Sequence, residues 1–418
     1  MELLYNLFLW TYRLAIHLVS PWNDKARRWL EGRKGLIEKI RQALETETAP
    51  IIWMHCASLG EFEQGRPVLE LLKGKYPQYK FFITFYSPSG YEVRKNYEGA
   101  DYVFYLPMDS PVRSKQFIQI VNPVFVLWIK YDYWYYYLQV LKDRKIPLVL
   151  VSSIFRKDHV FFRWYGGLQR KMLLAFSHFF VQTEGSVDRL EKVGIVSNVT
   201  VSGDTRFDRV IEIAEQFERI PLIEHFCGKS PVIVAGSTWL EDEEEIDHYA
   251  NANPGIKFII APHEIDENRL KEIEALFESS VRFSELGEMD KKQISPNVLI
   301  IDNIGMLSRL YRYASISYVG GGFGDDGVHN VLEAAVYGKP VVFGPVYDQY
   351  IEAVELVGSG GGFSIENALE VEELFSRLLS NSSEYTQASE ASREYVYSKR
   401  GATEKIIQVI QEKRLLTS

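Results

Sequence analysis

The segment His55-Cys56-Ala57-Ser58-Leu59-Gly60-Glu61 crowds a histidine, a serine and a glycine around a single glutamate. It follows the apolar run Ile51-Ile52-Trp53-Met54 and opens a helical pattern that continues to Leu72. A strand that turns at a glycine into a helix sets a carboxylate beside exposed backbone N–H groups, and open α/β sheets place ligands at such strand ends. Glu61 is therefore a candidate site residue, with Ser58 and Gly60 as its neighbours. The same spacing satisfies a capping box, with Ser58 as N-cap and Glu61 three positions on, and both readings stay open.

Other segments have the chemistry of an anion or nucleotide site. Val234-Ala235-Gly236-Ser237-Thr238 is a strand and a small-residue turn before the acids Glu241 to Glu245, which suit the positive end of a helix dipole. Backbone N–H groups and the hydroxyls of Ser237 and Thr238 could hold a phosphate or carboxylate there, or simply cap the helix. His263 follows a strand end and a proline. The glycine-rich run from Val319 to Glu333 contains Gly322-Phe323-Gly324-Asp325-Asp326-Gly327, formally G-x-G-x-x-G, with Asp348 further on. That pattern makes an NAD-linked oxidoreductase the competing reading. Asp325 and Asp326 would set like charges against a pyrophosphate, so a nucleoside monophosphate fits better, its phosphate near Gly321 and Gly322 and its ribose on Asn330 and Glu333, spaced for one helical face. Arg206, in Gly203-Asp204-Thr205-Arg206-Phe207-Asp208, offers a fork of donors to a phosphate or carboxylate, or an ordinary ion pair. Lys130, at a strand end before Tyr131, Asp132 and a run of aromatics, could bind an anionic group or be neutralised by a neighbouring acid.

Taken in order, these segments resemble the Kdo (3-deoxy-D-manno-octulosonic acid) transferases of lipid A biosynthesis, over residues 30 to 400. The family's His-x-Ala-Ser-x-Gly-Glu, Gly-Asn-x-Lys-Phe-Asp, Gly-Ser-Thr with following acids, Pro-Arg-His and Gly-Gly-His-Asn-x-Leu-Glu each have a counterpart here. The resemblance implies two Rossmann-like domains facing a central cleft (GT-B), a CMP-Kdo donor, a lipid A precursor as acceptor, Glu61 as general base in an inverting transfer, and no cofactor. It also implies donor contacts at Arg206, Ser237, Thr238, His263, Gly321, Gly322, Asn330 and Glu333. The chain departs from the family pattern in four places. Arg206 replaces a lysine, the arginine before His263 is missing, Val328 replaces a glycine, and Lys130 and Asp132 stand where relatives have Glu-x-Glu.

The elements that position these residues alternate as in parallel α/β sheets. Strands are expected at 51–55, 81–85, 102–105, 124–129, 148–151, 179–182 and 199–202, then at 231–235, 257–261, 298–301, 316–319 and 340–343, with helices from 366 onward. The length of 418 residues suits two domains. The expected division is an interfacial helix over 1–30, an acceptor domain over 31–215, a nucleotide-sugar domain over 216–385 and C-terminal helices over 386–418 that cross back to the first domain.

The first twenty residues are mostly apolar, yet Glu2, Asn6, Arg13, His17 and Ser20 fall in one sector of a helix. Such a stripe suits a helix lying in a membrane interface better than one crossing it; a helix packed on its own domain is the alternative. With the basic set from Lys25 to Arg41, it points to an anionic membrane surface, which the resemblance implies is the cytoplasmic face of the bacterial inner membrane. A net charge of −9 argues against nucleic-acid binding. Two cysteines without paired spacing indicate a reducing compartment and no disulfide framework, and eight scattered histidines give no metal motif.

Overall fold

Runs rich in Ile, Val and Phe that are apolar at every position, rather than at alternate ones, become strands covered on both faces. All six residues of β1 (Ile51–Cys56) are buried. Its odd residues Ile51 and Trp53 join one core with Phe82, Val126 and Trp128; its even residues Ile52, Met54 and Cys56 join the other with Phe81, Ile83 and Leu127. The computed structural model describes residues 2–288 and 296–416; Met1 and residues 417–418, the ends of the first and last expected segments, lie outside that range.

Unit 1 comprises Met1–Arg209 and Gly401–Ser418. After β1 come β2 (Lys80–Phe85), β3 (Tyr102–Tyr105), β4 (Pro123–Ile129), β5 (Leu148–Ser153), β6 (His178–Val181) and β7 (Val199–Val201). They form one parallel sheet in the order β3-β2-β1-β4-β5-β6-β7. Unit 2, Val210–Arg400, has β8 (Val232–Thr238), β9 (Lys257–Pro262), β10 (Ser280–Arg282), β11 (Val298–Ile300), β12 (Ile316–Val319), β13 (Val341–Phe343) and β14 (Gly362–Ser364). Its parallel order is β10-β11-β9-β8-β12-β13-β14. The strand order reverses between β1 and β4 in one sheet and between β8 and β12 in the other, and ligand crevices open beside such switch points. The two strands absent from the sequence reading, β10 and β14, are three-residue edge strands with too little apolar pattern to register.

The units divide after Arg209, inside the Thr205–Glu215 helix, rather than at 215. Of the C-terminal helices, Ser382–Tyr397 stays with unit 2, and only Ala402–Glu412 belongs to unit 1. The correction has a physical cause. Asp208 accepts the Gly401 and Thr403 N–H groups (2.6 and 2.7 Å) and the Thr403 hydroxyl (2.7 Å), and Ile406, Ile407 and Ile410 fill the second core of unit 1. At the other end, Pro21 breaks the expected 1–30 helix, since it has no N–H and disfavours helix in the residue before it. Helices Glu2–Val19 and Asp24–Glu31 result, the second capped by Asn23, which accepts the Ala26 N–H at 2.9 Å.

The Glu2–Val19 helix lies across the C-terminal edge of the first sheet. Tyr5 donates to Asp109, beyond β3, at 2.7 Å, Tyr12 stacks on Tyr86, beyond β2, and Glu2 and Asn6 accept the hydroxyls of Tyr135 and Tyr136, beyond β4. Two of the five residues of the polar stripe, Glu2 and Asn6, are therefore spent on the helix's own domain, while Leu3, Leu4, Leu7, Phe8, Trp10, Leu14, Leu18 and Val19 remain exposed. No helix among the described residues is long and apolar enough to cross a membrane.

Candidate active site

β1 delivers Ser58 and Glu61 to the switch point of the first sheet, and the Leu59–Lys75 helix starts there. Gly65 lets that helix lie close on the strands: a Cβ there would stand 2.7 Å from Met54 Sδ and 2.9 Å from Ile129 Cγ1. The capping reading of Glu61 is realised, since its Oε2 accepts the Ser58 N–H (3.0 Å) and the Ser58 hydroxyl. Both bonds end on one oxygen; Oε1 accepts none among the described residues. A carboxylate can thus cap the helix and still present a second oxygen to a hydroxyl. Gly60 is exposed beside it.

The adjacent strand end, after β4, carries Lys130, Tyr131 and Asp132. Lys130 has φ +56°, a left-handed conformation that costs a non-glycine residue roughly 1–3 kcal/mol and is concentrated at functional turns. His55 is fully buried between the two strand ends, with Nδ1 2.9 Å from Thr84 Oγ1 and Nε2 3.7 Å from Asp132 Oδ2. It is the piece of the motif that ties the Glu61 turn to the Lys130 turn.

Beyond β7, Arg206 adopts the ion-pair alternative. Its Nε and a terminal nitrogen lie 2.8 and 2.7 Å from Asp204 Oδ2. Burial pushes the Asp204 carboxyl up, but Arg206, its own backbone N–H and the nearby Lys130 outweigh that and hold it below the ordinary value. Arg206 and Lys130 therefore share one buried carboxylate at the same sheet edge.

In unit 2 the C-terminal end of β8 separates residues that the sequence grouped. Ser237 is partly exposed at φ +55°. Thr238 is fully buried and donates to Glu243 at 2.7 Å, so its hydroxyl serves the interior. Glu243 also pairs with Arg269. Gly321 needs the same correction, because its N–H goes to Asp242 at 2.8 Å, and that buried acid also accepts the Tyr318 hydroxyl and the Trp239 N–H, each at 2.9 Å. The glycines here let loops touch. A Cβ on Gly320 would lie 2.4 Å from the Ser237 carbonyl, and one on Gly322 2.5 Å from the Gly344 nitrogen.

This packing removes the dinucleotide reading. A fingerprint runs from its glycines straight into a helix, whereas Gly327 sits at φ +76° and the helix begins only at Leu332. Asn330 consequently precedes the helix instead of sharing its face with Glu333, and their side chains meet at 3.0 Å.

Three rings converge beside this turn. His263, exposed, stacks on Trp239 (centroids 4.7 Å apart) and on His329 (4.6 Å), and Trp239 Nε1 donates to His329 Nε2 at 3.2 Å. Burial, then the neighbouring His263, push His329 down to about 4. Trp239 escaped the sequence reading; its only signal was a large aromatic directly after the Ser237-Thr238 turn.

Residues 28–209 match the family model described as 3-Deoxy-D-manno-octulosonic-acid transferase (kdotransferase). The chain is 27% identical over 350 residues to the 3-deoxy-D-manno-octulosonic acid transferase of Aquifex aeolicus, covering 82% of this chain and 90% of that one. Among solved structures, the UDP-GlcNAc 2-epimerase from Neisseria meningitidis superposes with a TM-score of 0.58 at 20% identity, over 87% of this chain and 100% of that one. A glycosyltransferase from Rickettsia africae gives 0.53 at 14% identity, over 89% and 100%. Epimerase and transferase share this fold, so the fold alone does not choose the chemistry; the sequence relatives do. The chain is similar to the Kdo transferases over most of its length and is a glycosyltransferase.

Proposed function

We propose that the protein transfers Kdo from CMP-Kdo to a lipid A precursor, with inversion at the anomeric carbon, in lipopolysaccharide assembly on the cytoplasmic face of the bacterial inner membrane. One observation carries this reading: the Glu61 carboxylate, with one oxygen held and the other open, stands on the sheet edge across which the apolar Glu2–Val19 helix lies. An acceptor anchored in a bilayer would meet that edge first.

In the proposed reaction Glu61 takes the proton of the acceptor's sugar hydroxyl as the oxygen attacks the anomeric carbon. The bond from that carbon to the phosphate oxygen breaks, and its electron pair leaves with cytidine monophosphate. General-base assistance of this kind contributes about 10²–10⁴-fold. Ser237, Gly322, His263, Asn330 and Glu333 are the unit 2 groups proposed to meet the nucleotide. Lys130 and Arg206 supply positive charge on the edge that carries Glu61, and Asp132 steadies that side through His55. A monophosphate leaves, so the reaction requires no metal clamp on a diphosphate.

The helix is proposed to lie flat in the interface. Spanning would place Arg13 in hydrocarbon at about 2.5–3.5 kcal/mol. Incubation with CMP-Kdo and a tetraacylated lipid A precursor, followed by mass measurement of the lipid, tests the reading. A gain of one or more Kdo units is expected; release of cytidine monophosphate with no change in lipid mass would refute it.

A further inference from the structure

A cavity of ≈ 750 Å³ opens between the Glu2–Val19 helix, the two short helices after it and the start of the Pro111–Val121 helix. Six basic side chains, Arg13, His17, Arg27, Arg33, Lys34 and Arg113, line it against two acids, Glu31 and Glu38. Three of the six are already engaged, His17 through Nδ1, which lies 2.8 Å from the Arg13 carbonyl oxygen. Arg27 pairs with Asp24, and Arg33 lies 3.9 Å from the Trp29 ring centre and donates to the Leu106 and Tyr86 carbonyls. Glu38, for its part, faces Arg41 at 3.6 Å. Arg13, Lys34 and Arg113 have no acidic partner among the described residues. Like charges gathered around one cavity repel, and a bound anion relieves that repulsion.

The rim indicates which anion. Arg13, His17 and Ser20 occupy the helix sector between the face packed on the domain (Tyr5, Leu9, Tyr12) and the exposed apolar face. Trp10, Leu14 and Leu18 stand next to them around the helix, 62%, 43% and 62% exposed. A molecule that satisfies both features has an anionic head and a hydrocarbon tail.

We infer that this cavity holds the phosphate headgroup of an anionic bilayer phospholipid, whose acyl chains run along Trp10, Leu14 and Leu18. The inference rests on the interfacial reading of the helix, and adds that docking selects a lipid class. The test is co-sedimentation of the full chain with phosphatidylcholine vesicles, with and without phosphatidylglycerol, in the absence of donor and acceptor. The triple variant Arg13→Gln/Lys34→Gln/Arg113→Gln is compared with an equal charge loss elsewhere on unit 1, Lys75→Gln/Lys192→Gln/Lys405→Gln. About fivefold is expected per cation removed near an anionic surface, so the cavity variant should lose on the order of 100-fold for phosphatidylglycerol vesicles. The control should lose less than about fivefold, and inorganic phosphate alone should not compete.

Equal losses in the two triples, retained binding in the cavity variant, or displacement by inorganic phosphate would each overturn the inference. Wild-type protein that ignores both vesicles would overturn the interfacial reading along with it. A second arm measures KM for a detergent-dispersed, phosphate-bearing acceptor. An unchanged KM in the cavity variant supports a bilayer lipid; a raised KM with normal vesicle binding gives the cavity to the acceptor's own phosphate and overturns the inference.

Discussion

Replacing Glu61 separates chemistry from capping, because the structure gives the carboxylate both jobs on different oxygens. Glu61→Gln keeps the size and one oxygen acceptor, and both native bonds, from the Ser58 N–H and hydroxyl, end on a single oxygen. The amide oxygen can take them over, so the helix start should hold. The amide has no basicity to lend, and turnover should fall by about 10²–10⁴-fold. Glu61→Ala loses the cap as well, at about 1 kcal/mol, or a melting shift of about 2–4 °C for a unit of this size. Ser58→Ala should give the mirror image, a similar loss of stability with turnover reduced only a few-fold. Initial rates of cytidine monophosphate release, paired with thermal melts of the three variants, read both quantities. Glu61→Gln protein that retains more than about one-tenth of wild-type turnover would refute the base assignment, and one that melts as early as Glu61→Ala would refute the division of labour between the oxygens.

The remaining predictions concern unit 2. Gly320→Ala should destabilise by about 1–3 kcal/mol, because its Cβ would meet the Ser237 carbonyl and the Thr238 Cα; denaturant unfolding indistinguishable from wild type would show that the loops do not touch. Burial pushes Glu243 up to about 7 against the pull of Thr238 and Arg269. Arg269→Met should therefore cost roughly 3–5 kcal/mol by leaving that group without its counter-charge, and Glu243→Gln/Arg269→Met should recover much of it; a single-variant cost below about 1 kcal/mol would count against the pair. His329, held near 4, is protonated in the unfolded chain before the folded one as pH falls from about 6.5. Its contribution to stability is thus full above about 6.5 and disappears as pH falls to 4. Ring-proton NMR should place its midpoint near 4, and a midpoint above 6 would mean an open, hydrated ring.

Most strands were legible because those buried on both faces need unbroken apolar runs, and twelve of the fourteen were anticipated. Only three-residue edge strands such as Ser280–Arg282 fell below that signal. The Glu61 turn was equally legible, since strand, glycine and helix start are all local. Tertiary structure decided what distance along the chain conceals. Thr238 looked like a free hydroxyl until Glu243 and Arg269 closed over it, and Gly321 looked like a phosphate donor until Asp242, 79 residues away, took its N–H. The glycine-rich run specified glycines but not their reason, which for Gly320 and Gly322 is backbone approaching backbone at Ser237 and Gly344. Trp239, His263 and His329 lie on three separate segments, and no spacing rule brings such rings together. The physical reason is common to all of these: a local pattern dictates which groups a turn exposes, but a buried polar group must find a partner, and that partner is supplied by whichever segment the fold packs against it.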